Sequence, residues 1–114
     1  MPIQSVYCLC AAWCDTCQAF RTIFDAVGAE HAGIRFEWID IEDEADLVDD
    51  VDVETFPTIL ALADGRAAFC APIRPQRKHL EAVLTTPAQD ALPREVRELG
   101  DRLRQRELDP GRGR

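Results

Sequence analysis

Cys14 and Cys17 stand two residues apart, between a strand-like apolar run and a helical apolar repeat. That placement limits the fold more than any other feature of the chain. Ile3 to Cys10 is a short apolar run with Val and Tyr, the pattern of a strand. From Cys14 to about Ala32, Cys17, Phe20, Ile23, Phe24 and Val27 recur at helical spacing and predict one inner face. After a break at Gly33, Ile34–Ile41 carries Ile34, Phe36 and Trp38 in alternation, a half-buried strand. Strand, helix and strand in that order predict a βαβ unit with parallel strands and a right-handed crossover.

The remaining segments extend this unit. Glu44 to about Val51 suits a short helix, and a loop leads into Thr55-Phe56-Pro57. Thr58–Ala63 reads as a buried strand, Asp64-Gly65 as a hairpin turn, and Arg66–Ile73 as the returning strand. Pro75–Thr85 is a helix with Leu80, Val83 and Leu84 as its apolar side. The order β-α-β-α-β-β-α predicts an α/β fold, a mixed sheet flanked by helices on both faces. Leu92 to Leu108 adds an amphipathic helix with Leu92, Val96, Leu99 and Leu103 on one stripe. With 114 residues there is room for one compact domain. The expected division is a domain over 1–86, a helical extension over 87–108 and a disordered tail over 109–114.

The spacing of the cysteines has a chemical reason. Cys14 falls near a helix N-terminus, where unpaired N–H groups and the helix dipole favour a thiolate. Two intervening residues bring both sulfurs within one turn. Exchange needs an exposed attacking thiolate and a second thiol to resolve the mixed disulfide. Cys14 suits the first role and Cys17 the second. Zinc sites share the spacing, but its position within a βαβ pattern points to redox chemistry.

These residues resemble the thioredoxin family. Trp13–Cys17 matches its Trp-Cys-x-x-Cys, Thr55-Phe56-Pro57-Thr58 falls where the family has its cis-proline loop, and Asp64-Gly65 sits at its hairpin turn. The resemblance covers roughly residues 3–85, as a minimal thioredoxin-like fold without the family's usual leading strand and helix. It implies a cis bond before Pro57, and a substrate groove formed by Trp13, Thr55, Phe56 and Pro57. The chain also departs from the pattern. Asp15-Thr16 replaces the usual Gly-Pro, and Asp15 is expected to hold the Cys14 pKa up by like charge. No His lies between the cysteines, so nothing suggests a strongly oxidising variant. The family's buried Asp falls at Cys8, which leaves proton transfer to water or another group. A substrate-loop Gly falls at Ile73, which is expected to narrow access.

Other residues have plainer readings. Cys8 and Cys10 point to one face of a strand and read as small core residues. The rival is a four-sulfur metal site with Cys14 and Cys17. Cys70 reads as packing, and His31 and His79 as surface residues. Nine acids from Asp40 to Glu54 form an acidic run, ordinarily a solvated face, that leads into the proline loop.

Charge and composition narrow the function classes. The net charge of −8 argues against nucleic acid and anionic membranes as general partners. No apolar run approaches the roughly 20 residues of a membrane span. The first residues lack the basic start of a secretory signal, and five cysteines, an odd number, fit a reducing compartment. The expected location is therefore cytoplasmic. The favoured function is reduction of disulfide-containing protein substrates. No cofactor is implied, and reducing equivalents come from a separate reductase or thiol pool. The alternative is a thioredoxin-like binding or adaptor module with little redox turnover, using the groove and the added helix.

Overall fold

A computed structural model describes residues 3–108. The expected tail over 109–114 lies outside the described residues. Four strands and four helices follow in the order β1 (Ser5–Cys10), α1 (Asp15–Glu30), β2 (Arg35–Asp40), α2 (Ala45–Val48), β3 (Thr58–Ala63), β4 (Arg66–Pro72), α3 (Arg77–Val83) and α4 (Arg94–Leu108). The strands form one sheet in the order β2-β1-β3-β4. β1 is parallel to β2 and antiparallel to β3, and β3 and β4 form an antiparallel hairpin. This is the mixed sheet with helices on both faces that the chain's patterning predicts.

β1 and β3 are central, and every one of their residues is buried. Their alternation splits the core in two. Val6, Cys8 and Cys10 with Ile59 and Ala61 face α1 and α3, where Phe20, Phe24, Leu80 and Val83 complete one cluster. Tyr7, Leu9, Leu60 and Leu62 face the other way, against Val48 of α2 and Val96, Leu99 and Leu103 of α4. β2 lies at an edge, with Phe36 and Trp38 half-buried toward α1 and only Ile39 fully buried, on the α4 side.

Turn chemistry sets the hairpin. Asp64 and Gly65 both take positive φ, 56° and 78°, as a two-residue turn between right-twisted strands requires. A register shift between Ala61 and Leu62 bulges the β3–β4 pairing.

The last helix packs back on its own sheet. Gly100 allows the close approach, since a Cβ there would lie 2.9 Å from the Ala67 Cβ of β4. Arg102 donates to the Leu47 carbonyl at 2.9 Å, and Arg106 pairs with Glu37 and Glu44. The Tyr7 hydroxyl donates to Glu107, and this contact with burial pushes the Tyr7 pKa far up, burial being the larger cause. The apolar stripe of α4 is thus already covered by the chain's own core. Among the described residues, no helix is long and apolar enough to cross a membrane.

Candidate active site

Cys14 lies at the junction of β1 and α1, as the N-cap of the helix. Its backbone is extended (φ −88°, ψ 115°), and its carbonyl accepts the first helical bond from the Gln18 N–H at 3.1 Å. No side chain caps α1, so its first-turn N–H groups have no side-chain acceptor. Cys14 is half-buried with a free thiol, and Asp15 and Thr16 beside it are exposed. Cys17 lies almost one turn further along the helix, on its inner face, with no solvent exposure.

The loop before Cys14 is held by residues whose role the sequence pattern did not reveal. The Asp40 carboxylate, at the end of β2, accepts the Ala12 N–H at 3.0 Å, and also the N–H groups of Glu42 at 2.8 Å and Asp43 at 3.1 Å. The Gln18 amide donates to the Ala12 carbonyl. Asp40 therefore fastens the cysteine loop to the β2–α2 turn, and the start of the acidic run is structural. An acid that ends an apolar strand beside a second loop was the available signal. A cleft of about 270 Å³ opens here, lined by Cys17, Arg21, Trp38, Asp40 and Asp43 among others.

The proline loop meets the cysteine loop through Trp13. The Phe56-Pro57 peptide is cis, and Pro57 is buried. Trp13 is 65% exposed and meets the half-buried Phe56 edge-to-face, ring centroids 5.6 Å apart. The Thr58 hydroxyl donates to the Thr55 carbonyl at 2.6 Å, and the Ile73 N–H donates to the Pro57 carbonyl at 3.1 Å. Ile73 is half-buried against the α1-side core. Trp13 is thus joined to Phe56, and Ile73 to Pro57, while Thr55 closes the turn.

The cysteine bonding differs from the expected pairing. Cys17 is joined by a disulfide to Cys10, not to Cys14, with 5.9 Å between their Cα atoms. Cys10 is therefore not the plain core residue that its strand position suggests. The reason lies in the βα geometry. Side chains at Cys8 and Cys10 project toward α1, and the inner face of α1 sets Cys17 over the end of the strand. Spacing along a strand shows the face but not which helix residue covers it. Two of the four sulfurs of the rival metal arrangement are thus bonded to each other.

Cys8 remains a buried free thiol, 3.6 Å from the Cys10 sulfur. With Cys10 in a disulfide only Cys8 carries a proton, so its S–H is the donor. Burial pushes the Cys8 thiol far above its usual range. Cys70 is free and half-buried on the α4 side, and burial pushes it up to about 11.

Comparison with known proteins places this geometry in a family. The thioredoxin family model matches residues 5–86. Thioredoxin-1 of Caenorhabditis elegans is 32% identical over 57 residues, half of each chain. The chain spans about half the length, or less, of the curated relatives it matches. Among solved structures, a thioredoxin from Nicotiana alata superposes with a TM-score of 0.65 at 21% identity, covering 78% of this chain and 76% of that one. The thioredoxin of Fasciola hepatica gives 0.64 at 20% identity, covering 71% and 77%. At such identities the likeness speaks for the fold.

Proposed function

Because the chain belongs to the thioredoxin family, we propose that it is a thiol–disulfide oxidoreductase that reduces protein disulfides through Cys14 and Cys17. One observation carries the reading. A half-exposed thiol, Cys14, stands at the start of α1, which no side chain caps, three residues before a second cysteine of no solvent exposure.

The reaction begins with Cys10, Cys14 and Cys17 all reduced. The Cys14 thiolate attacks one sulfur of a substrate disulfide. That bond breaks, the departing substrate sulfur takes a proton, and a mixed disulfide joins substrate to Cys14. Cys17 then attacks the Cys14 sulfur and releases the second substrate thiol. The proton that Cys17 gives up has an exit through the adjoining cleft, whose walls include Asp40 and Asp43. This arrangement supplies the alternative proton route needed where the family's buried Asp is replaced by Cys8.

Trp13, Thr55, Phe56, Pro57 and Ile73 form the substrate-binding wall in this reading, and Asp15 adds a negative charge next to the attacking sulfur. Residues 1–86 are the catalytic domain, and 87–108 an extension that covers its second face. Reducing equivalents come from a separate reductase or thiol pool, and the site of action is the reducing cytoplasm. The apolar stripe of α4 is buried against the chain's own sheet, so it is not free to dock a partner.

Equilibration of the purified protein against graded ratios of reduced and oxidised dithiothreitol, with thiol trapping, tests this. The expected result is a reversible two-electron couple that disappears in Cys17→Ser. A midpoint near or below about −230 mV marks a reductant. Failure to form any disulfide over the whole range removes the enzymatic reading.

A further inference from the structure

We propose that Cys10 is a third working thiol of the site: it takes the disulfide over from Cys14–Cys17 by internal exchange, leaving Cys10–Cys17 bonded beneath a free Cys14. The inference rests on the exchange function above and adds a step to it.

Three observations support it. Cys10 and Cys17 are bonded in the structure, and their Cα separation of 5.9 Å lies in the range that disulfides ordinarily span. Their backbones are held in place on both sides. Cys10 pairs with Asp40 across β1 and β2, and its carbonyl accepts the Ile41 N–H at 2.9 Å, while Cys17 lies within α1. Finally, the Cys8 S–H donates to the Cys10 sulfur, so a negative charge developing there during exchange has a donor beside it. Nothing in the two-cysteine reaction uses Cys8 or Cys10.

The step conserves electrons. The deprotonated Cys10 sulfur attacks the Cys17 sulfur, the Cys10–Cys17 bond forms and the Cys14–Cys17 bond breaks. Cys14 departs as a thiolate and takes up the proton that Cys10 gave up. One disulfide replaces another with no net oxidation. The reverse step, attack by Cys14 on Cys17, returns the bond to the surface, where an external dithiol can reduce it.

The consequence concerns substrate release. With Cys17 held by Cys10, Cys14 still attacks a disulfide, but Cys17 no longer resolves the product. The reduced chain releases its substrate, and the oxidised chain holds it until an external thiol arrives. Both Cys10 and Cys17 lack solvent exposure, so the stored disulfide is shielded from direct attack.

Sequential labelling tests the proposal. The protein is oxidised with oxidised dithiothreitol, free thiols are blocked with one alkylating reagent, and disulfide thiols are then reduced and labelled with a second. Cleavage before Asp15 separates Cys17 from the peptide carrying Cys8, Cys10 and Cys14, and fragmentation locates each label. The expected result is the first label on Cys14 and the second on Cys10 and Cys17. In Cys10→Ala the second label moves to Cys14 and Cys17. In Cys14→Ala, which leaves the core intact, formation of Cys10–Cys17 by a protein disulfide is expected to slow at least tenfold. Second label on Cys14 and Cys17 in the wild type overturns the relay while the exchange function stands, whereas an unchanged rate in Cys14→Ala overturns the relay together with attack by Cys14. No second label on any of the three overturns both.

Discussion

Substitution of Cys14 by Ser is expected to lower the rate of protein-disulfide reduction by at least about a thousandfold, because it removes the attacking sulfur itself. A hydroxyl is not measurably ionised near neutral pH and does not attack a disulfide sulfur. The remaining free thiols cannot take over. Cys70, pushed up to about 11 by burial, holds only about a thousandth of its population as thiolate at pH 8. Cys8 lies still higher and has no solvent exposure. Because Cys14 is half-buried at the helix start and its side chain caps nothing, the thermal midpoint is expected to stay within a few degrees of wild type. Exchange that persists above a tenth of the wild-type rate, measured with a disulfide-bonded protein substrate, places the attacking thiol elsewhere.

The second large effect concerns stability. Leu99→Ala is expected to cost about 2–5 kcal/mol, a large part of the roughly 5–15 kcal/mol that holds a domain of this size. Leu99 has no solvent exposure and packs with Val96 and Leu103 of α4 against Tyr7, Leu9, Leu60 and Leu62 of the central strands. Truncation loses the burial of the removed carbons and leaves a cavity that the sheet cannot close. Urea unfolding reads the loss directly as a lower midpoint with little change in slope. Gln105→Ala, at an exposed position on the same helix, is the control and is expected to stay within about 0.5 kcal/mol of wild type. Equal midpoints for the two variants would show that α4 is not part of the cooperative core.

The two substitutions probe opposite faces of the sheet. α1 packs on one side and carries Cys17. On the other, α4 covers the reverse surface of the same two central strands. The Cys10–Cys17 disulfide at the end of β1 therefore rests on a strand that both helices hold. Gly100 and the Arg106 pairs with Glu37 and Glu44 set how closely α4 approaches.

Much of this was legible in the residues. The element order followed from apolar periodicity, and the hairpin from Asp64-Gly65, because both signals are local. Helix ends were less so. α1 begins at Asp15 rather than Cys14 because Cys14 takes the extended N-cap conformation, and α3 is confined to Arg77–Val83 within the wider span read from Pro75 to Thr85. The α4 stripe announced a partner surface without saying whose, since an amphipathic helix has the same pattern on its own sheet or on another protein. Asp40 looked like one acid among nine, and only the fold brings it to the Ala12 N–H.

The cysteines show the same limit. Cys14 and Cys17 were marked by their spacing within the βα turn. The bond from Cys17 to Cys10 depends on how the helix crosses the strand, a tertiary fact that strand alternation cannot supply. Trp13 and Phe56 were placed together by resemblance, and the structure shows their rings in edge contact.

The most direct test of the exchange chemistry is to trap its intermediate. Reduced Cys17→Ser, mixed with a disulfide-bonded protein, lacks the resolving thiol and is expected to accumulate a covalent complex that dithiothreitol releases. Peptide mapping is expected to find the substrate on Cys14. A complex through Cys70 or Cys8, or none at all when the wild type turns over the same substrate, would contradict attack by Cys14 and resolution by Cys17.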